Sequence, residues 1–194
     1  MKISYPLSRN WARGLLVLLI AASASSIAIF YGTDTKLRPT PQETMSFFVA
    51  ASFQNEQGTK AYRAYKSALS DRILSFHLWS YDSKESAFRQ AYSYYGRNAD
   101  VLILPESVLG EDLSLFVGLP EEYRESAYQN KGALVYAPGQ GNWPSGNYFS
   151  YHAENYYAFI NTKSLHISSL DSSKKDDEAL SLFSYVVRGP SDEA

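Results

Sequence analysis

Apolar and polar positions fall into blocks with different periods along the chain. Residues 14–31 (GLLVLLIAASASSIAIFY) are charge-free and largely apolar, and Lys2, Arg9 and Arg13 precede them. Such a run is near the lower limit for spanning a bilayer. The basic flank orients it with residues 1–13 in the cytoplasm and everything after Gly32 outside, and Trp11, Phe30 and Tyr31 sit where amphipathic rings prefer the headgroups. The same segment also reads as a cleavable signal peptide, with an h-region at 15–21 and an A-x-A-like stretch at 22–24, or as a buried core helix. Residues 32–43, with Pro39 and Pro41, read as an extended linker.

The folded domain is expected over 44–188, followed by a tail at 189–194. The run at 44–52 (TMSFFVAAS) reads as a buried strand, and 56–71 carries Ala61, Tyr65, Ala68 and Leu69 at helical spacing. A second strand follows at 72–81 (RILSFHLWSY). A helix then places Ala87, Phe88, Ala91, Tyr92 and Tyr95 on one stripe, with Gly96 as its C-terminal stop. DVLILP at 100–105 has the continuous apolar character of a strand buried on both faces. Residues 107–128 show a mixed helical pattern broken by Gly118 and Pro120. A strand at 132–137, a loop at 138–146, a strand centred on 156–160 and a polar turn at 168–177 come next. A closing helix at 177–188 has acids first and Arg188 last, matching the helix dipole. Strand, helix, strand, helix, strand is the order of right-handed crossover units. The fold expected is therefore an α/β three-layer sandwich with a mostly parallel sheet.

Composition narrows the function classes. Eighteen Lys+Arg against 20 Asp+Glu leave a formal charge of −2, which argues against a nucleic-acid binder working through phosphate neutralisation. The absence of Cys removes thiolate nucleophiles, Cys-ligated zinc, disulfides and a lipidated Cys. Neither a dinucleotide nor a phosphate-loop fingerprint surrounds Gly139-Gln140-Gly141, and no Gly-x-Ser-x-Gly elbow is present. His77, His152 and His166 lack metal-ligand spacing and read as structural. No nucleophile–base pair or metal set can be assembled, so neither an enzymatic role nor a cofactor is expected.

MSFFVAASFQNEQ, LSFHLWSYDSKESAFRQAYSYYGRNADVLILPES, GNYFSYHAENYYAFINTKSLHISSL and EALSLFSYVV follow one another in an order that carries a resemblance. Gly96-Arg97-Asn98-Ala99-Asp100-Val101-Leu102-Ile103 is similar to the strand that closes the opening crossovers of extracellular solute-binding proteins of bacterial ABC importers, the periplasmic-binding-protein type 2 class. The segment from Tyr157 to Leu165, with Asn161 and Lys163, is similar to that family's "Tyr-Tyr-Asn-Lys-aliphatic" stretch. The resemblance covers most of 44–188 and implies one lobe of such a protein. It also implies a small polar solute such as a sugar and an importer permease as partner. The chain is too short for the family's two lobes, and it lacks the lipidated Cys of its Gram-positive members.

Open α/β sheets place ligand crevices at the carboxyl ends of parallel strands. Those ends bring Ser52, Gln54 and Asn55 after the first strand, Tyr81 and Asp82 after the second, and Glu106 and Ser107 after the third, with Trp143 or Tyr81 as a stacking face. Against this stands the capping or turn role common for Asn, Asp and Ser. Two functions follow as expectations: a membrane-tethered, extracytoplasmic solute-binding module, or an accessory domain that binds a partner in a membrane complex through an aromatic patch.

Overall fold

The computed structural model describes residues 38–110, 113–141, 143–167 and 177–190. The proposed membrane segment at 14–31, most of the linker, the polar turn at 168–176 and the last four residues lie outside them. Among the described residues no helix is long and apolar enough to cross a membrane. Among the described residues, the folded unit begins at Thr40.

Its centre is a six-stranded sheet. β1 (Thr44–Val49) pairs in parallel with β3 (Ser75–Ser80) on one side and with β4 (Val101–Pro105) on the other. β8 (Tyr156–Ile160) then runs antiparallel to β4, β6 (Gly132–Tyr136) antiparallel to β8, and β5 (Ala127–Tyr128) antiparallel to β6. The spatial order is β3-β1-β4-β8-β6-β5. A separate two-stranded ribbon pairs β2 (Ser52–Phe53) with β7 (Phe149–Ser150). The domain is thus mixed α/β. Its parallel pairing is confined to the half built from the crossovers, β3-β1-β4, and the later strands pair antiparallel, so the sheet is mixed where a mostly parallel one is expected: the segment between β6 and β8 forms a 3₁₀ turn and the β7 ribbon strand instead of a crossover helix.

Alternation along the central strands explains why both faces are covered. Met45, Phe47 and Val49 join Val101, Ile103, Tyr156, Ala158 and Ile160 in one core. That core is closed by α1 (Gly58–Ser67) through Ala61 and Tyr65 and by α3 (Glu178–Arg188) through Leu182, Phe183 and Val186. Phe48, Leu102, Leu104 and Phe159 face the other way, under Phe88 and Ala91 of α2 (Phe88–Tyr94) and under Leu113 and Phe116. A fully buried Phe contributes roughly 1.5–3 kcal/mol relative to exposure, so Phe47 and Phe48, back to back on one strand, anchor both cores.

Several elements differ from the sequence expectation. Where a mixed helical pattern is expected over 107–128, the described residues form two 3₁₀ turns, Glu106–Val108 and Glu121–Ser126, the second beginning directly after Pro120 and leading into β5. Gly96 does not end α2 through a left-handed conformation; it opens the 3₁₀ turn Gly96–Asn98, and a Cβ there would collide with the Tyr92 ring. The closing helix is capped by Asp177, whose carboxylate accepts from Leu180 N–H at 3.1 Å. Glu178, expected only to favour the helix dipole, is buried and accepts from the backbone N–H and the hydroxyl of Ser70, tying α3 to the turn after α1.

Asp100 pins the parallel half to the antiparallel return. Its Oδ2 accepts from Ser46 N–H and Ser46 Oγ, both at 2.8 Å, and its Oδ1 accepts from Ser164 Oγ at 2.6 Å. Asn161 extends the clasp by donating its Nδ2 to the Arg97 carbonyl at 3.0 Å.

Candidate functional site

The loops leaving the carboxyl ends of β1 and β3 lead to helices on opposite faces of the sheet, α1 and α2. That divergence is what opens a crevice at the strand ends of an α/β sheet. Because β8 is antiparallel, the residues just before it arrive at this same edge. The segment from Tyr151 to Tyr156 therefore faces the turns after β3 and β4.

Three of the sequence-predicted residues meet there. Asp82 Oδ1 lies 2.6 Å from His152 Nε2 and also accepts from Lys84 N–H at 2.9 Å. An ionised carboxylate only accepts, so the ring nitrogen facing it carries the proton. Burial raises the Asp82 pKa, but the hydrogen bonds from His152 and Lys84 and their charges outweigh it and hold the carboxyl below its ordinary value. Glu106 Oε2 accepts from Asn155 Nδ2 at 3.1 Å, while Glu106 N–H donates to the Asn155 carbonyl at 2.9 Å. Ser107 N–H donates to Glu154 Oε2 at 3.1 Å. Apart from the Lys84 bond within its own turn, each contact crosses between a parallel-strand turn and the antiparallel return.

Two tyrosines stand behind this row. The Tyr156 hydroxyl accepts from His152 N–H at 3.3 Å, and Ser83 Oγ is buried beside it without reaching hydrogen-bond geometry. Burial raises the Tyr156 pKa; the His152 N–H and Ser83 hydroxyl act the other way, and the charges of Glu154 and Asp82 add to the rise. Tyr157 is raised by burial and by the Glu106 charge, and its hydroxyl receives Asn155 Nδ2 at 3.4 Å.

The other predicted residues are placed differently. Ser52 pairs with Ser150 in the β2–β7 ribbon. Gln54 donates its Nε2 to the Gly146 and Phe149 carbonyls at 3.0 and 3.1 Å, so its amide is spent holding the ribbon to the turn Pro144–Asn147. Asn55 is an exposed turn residue with φ of 23°, a position that tolerates Asn well. Tyr81 stacks on Phe48 and Tyr95 with ring centroids 6.0 and 6.2 Å apart, which occupies its faces. Trp143 precedes a turn that packs against α3, and its indole nitrogen is buried without a partner among the described residues. The Tyr81 ring is thus not an open stacking face.

His152, Glu154, Asn155 and Tyr156 form the second wall of the site and lie outside the sequence-predicted set. The signal that finds them is the antiparallel direction of β8, which no local pattern encodes. Of the remaining histidines, His166 is buried with Nε2 2.9 Å from the Thr44 carbonyl, and the exposed His77 stacks on Trp79. No group of three metal-ligating side chains occurs among the described residues.

Chemically the edge offers carboxylates, an amide, a serine turn and one carboxylate-oriented imidazole, a set suited to hydrogen-bonding a polar molecule. Comparison with protein-family models, with curated proteins and with solved structures gives no match, so no comparison identifies a solute-binding protein family.

Proposed function

We propose that this chain is a membrane-tethered, extracytoplasmic module that binds a small polar solute, in the manner of the importer-associated proteins its order of elements resembles. What supports this reading is the polar row at the carboxyl edge of β3 and β4, where Asp82, Glu106 and Ser107 are hydrogen-bonded to His152, Asn155 and Glu154 at 2.6 to 3.1 Å, next to an open groove along α2 that shares Ser107. A row of acceptors and donors held by two walls of one sheet is pre-organised for hydroxyl-rich ligands. The apolar segment at 14–31 would hold the module at the membrane, within reach of an importer permease.

A thermal-shift screen of the full-length chain against sugars, amino acids and short peptides tests the binding role. A ligand specific to the native state adds about 2.7 kcal/mol at a hundredfold excess over its Kd. Stabilisation by one solute class that is lost in Glu106→Ala supports the reading, and a blank screen removes it. Resistance of the full-length chain to carbonate extraction tests the tether; its recovery in the medium, shortened near residue 24, argues for the signal peptide instead.

One observation favours the accessory-domain reading. The edge strand β3 carries His77 and Trp79 in a stack with Tyr95, beside Leu74 and Tyr94, which are 63% and 67% exposed. β3 contains no Lys, Pro or bulge to discourage pairing. Loss of a co-purifying membrane protein in Trp79→Ala, with an unchanged ligand screen, supports that alternative.

A further inference from the structure

Beside the polar row, α2, the loop before it and the turn after β4 line an open groove of about 960 Å³. Its charge differs from that of the protein as a whole. Lys84, Arg89 and Arg97 line it against a single acid, Glu85, in a chain whose formal charge is −2. Arg89 and Arg97 form no ion pair among the described residues. The acids of the adjoining polar row are already committed: Asp82 to His152 and Lys84 N–H, Glu154 to Ser107 N–H, and Glu106 to Asn155. Between the cations stand the exposed hydroxyls of Ser86, Ser93 and Ser107.

Three cations against one carboxylate, interleaved with hydroxyl donors, are the chemistry that selects an anion. Arginine adds geometry, since its planar fork meets a carboxylate or phosphate through two parallel hydrogen bonds. The floor adds an apolar surface from Phe88 and Tyr92, on which a sugar ring or similar body can rest. Ser107 belongs both to this groove and to the polar row, so a ligand seated here extends from one into the other.

We infer that the groove of Lys84, Arg89, Arg97 and Ser107 binds the phosphate or carboxylate of a small anionic solute whose hydroxyl-bearing part reaches the Glu106–Asn155 row. This assignment deepens the solute-binding reading and rests on it.

The test is titration calorimetry of the full-length chain with glucose 6-phosphate, glucuronate, inorganic phosphate and glucose, at low and at physiological salt, in the native protein and in Arg89→Gln/Arg97→Gln. Both arginines are exposed, and an unchanged melting temperature of the ligand-free variant confirms its fold. The expected result is binding of glucose 6-phosphate or glucuronate at least tenfold tighter than glucose, weakened tenfold or more in the variant and weakened by salt. Phosphate selectivity over carboxylate appears as the difference between the two sugar acids. Binding of any probe that is equal in native protein and variant overturns the groove while leaving the solute-binding module standing, as does a neutral solute from the thermal screen with no anion bound. Equal, weak effects of inorganic phosphate on both proteins are a general salt effect and count against the site. If no probe binds and the thermal screen is also blank, both readings fall.

Discussion

His152 Nε2 and Asp82 Oδ1 meet at 2.6 Å across 70 residues of sequence, joining the turn after β3 to the strand that returns antiparallel beside β4. The pair is partly exposed, with side-chain accessibilities of 26% and 21%, so water screens part of its attraction. Its carboxyl is nevertheless held below the ordinary range. A carboxylate with a depressed folded pKa contributes stability that is fully present above the unfolded value, about 3.9, and is lost as pH falls through the lower folded value.

From this pair comes the first expectation. His152→Ala removes the hydrogen bond and the charge that oppose burial, so the Asp82 pKa rises, and the acid limb of the stability profile moves to higher pH. The stability lost at neutral pH is about 1 kcal/mol or less, as befits a partly exposed pair. NMR titration of the Asp82 carboxyl carbon in the native protein and the variant reads the shift. An identical titration in both proteins contradicts the assigned cause.

Asp100 is the opposite case, because it is buried and serves three donors. Asp100→Ala strands the Ser46 N–H, the Ser46 hydroxyl and the Ser164 hydroxyl near the base of β4. Each buried donor left without a partner costs about 1–3 kcal/mol, so an overall loss of about 3 kcal/mol is expected after partial rescue by water. Asp100→Asn retains one carbonyl acceptor and should fall between. Urea midpoints at constant m-value check the order, and a loss under about 1 kcal/mol for the alanine variant shows that the clasp is not a stability centre.

The contrast between these two aspartates explains what the sequence discloses. Strands β1 and β4 are legible because both their faces are buried and their runs, such as Val101–Pro105, are largely apolar, and the edge strand β3 is legible through its aromatic, alternating run. Helices α1 and α3 are legible because Ala61 with Tyr65, and Leu182 with Val186, repeat at helical spacing. The site is only half legible. Asp82, Glu106 and Ser107 follow from the rule that crevices open at carboxyl ends, whereas His152, Glu154 and Asn155 reach the same edge only through an antiparallel pairing of distant segments. Gln54 is a candidate by its place after the first strand and Trp143 by its ring, but their contacts with the turn at 144–147 depend on packing that no local period encodes.

Gly132 gives a packing prediction. It stands opposite Phe159 in the β6–β8 ladder, and a Cβ added there would penetrate the fully buried Phe159 ring, which lies 4.3 Å from Phe116 by ring centroids. Overpacking a dense core typically costs 1–3 kcal/mol, and Gly132→Ala should lose about 2 kcal/mol. Phe159→Leu, destabilising by itself, makes room for that methyl. The double variant should therefore be more stable than the sum of its parts by at least about 0.5 kcal/mol. Strict additivity in a double-mutant cycle by chemical denaturation would show that the ring is not what excludes the side chain.

Tyr65 leads to an expectation of the opposite sign. Its ring fills the space between α1 and the sheet, in edge contact with Phe47 at 4.9 Å and within 5.8 Å of Tyr148 and Tyr185. Its hydroxyl is buried with no hydrogen-bond partner among the described residues. Burial first, then the neighbouring hydroxyls of Tyr151, Tyr148 and Tyr185, push its pKa well up, so the phenol stays neutral at any pH the fold survives. A buried polar group without a partner forfeits its hydration and regains nothing, whereas the ring keeps every apolar contact without it. Tyr65→Phe is thus expected to leave stability unchanged or to raise it by up to about 1 kcal/mol, whereas Tyr65→Ala, which empties the same site, should cost about 3–5 kcal/mol. Thermal and urea denaturation of the two variants decide the matter: a loss above about 1 kcal/mol for the phenylalanine variant would mean that the hydroxyl is bonded through water, and the ring alone would no longer account for the stability of this face.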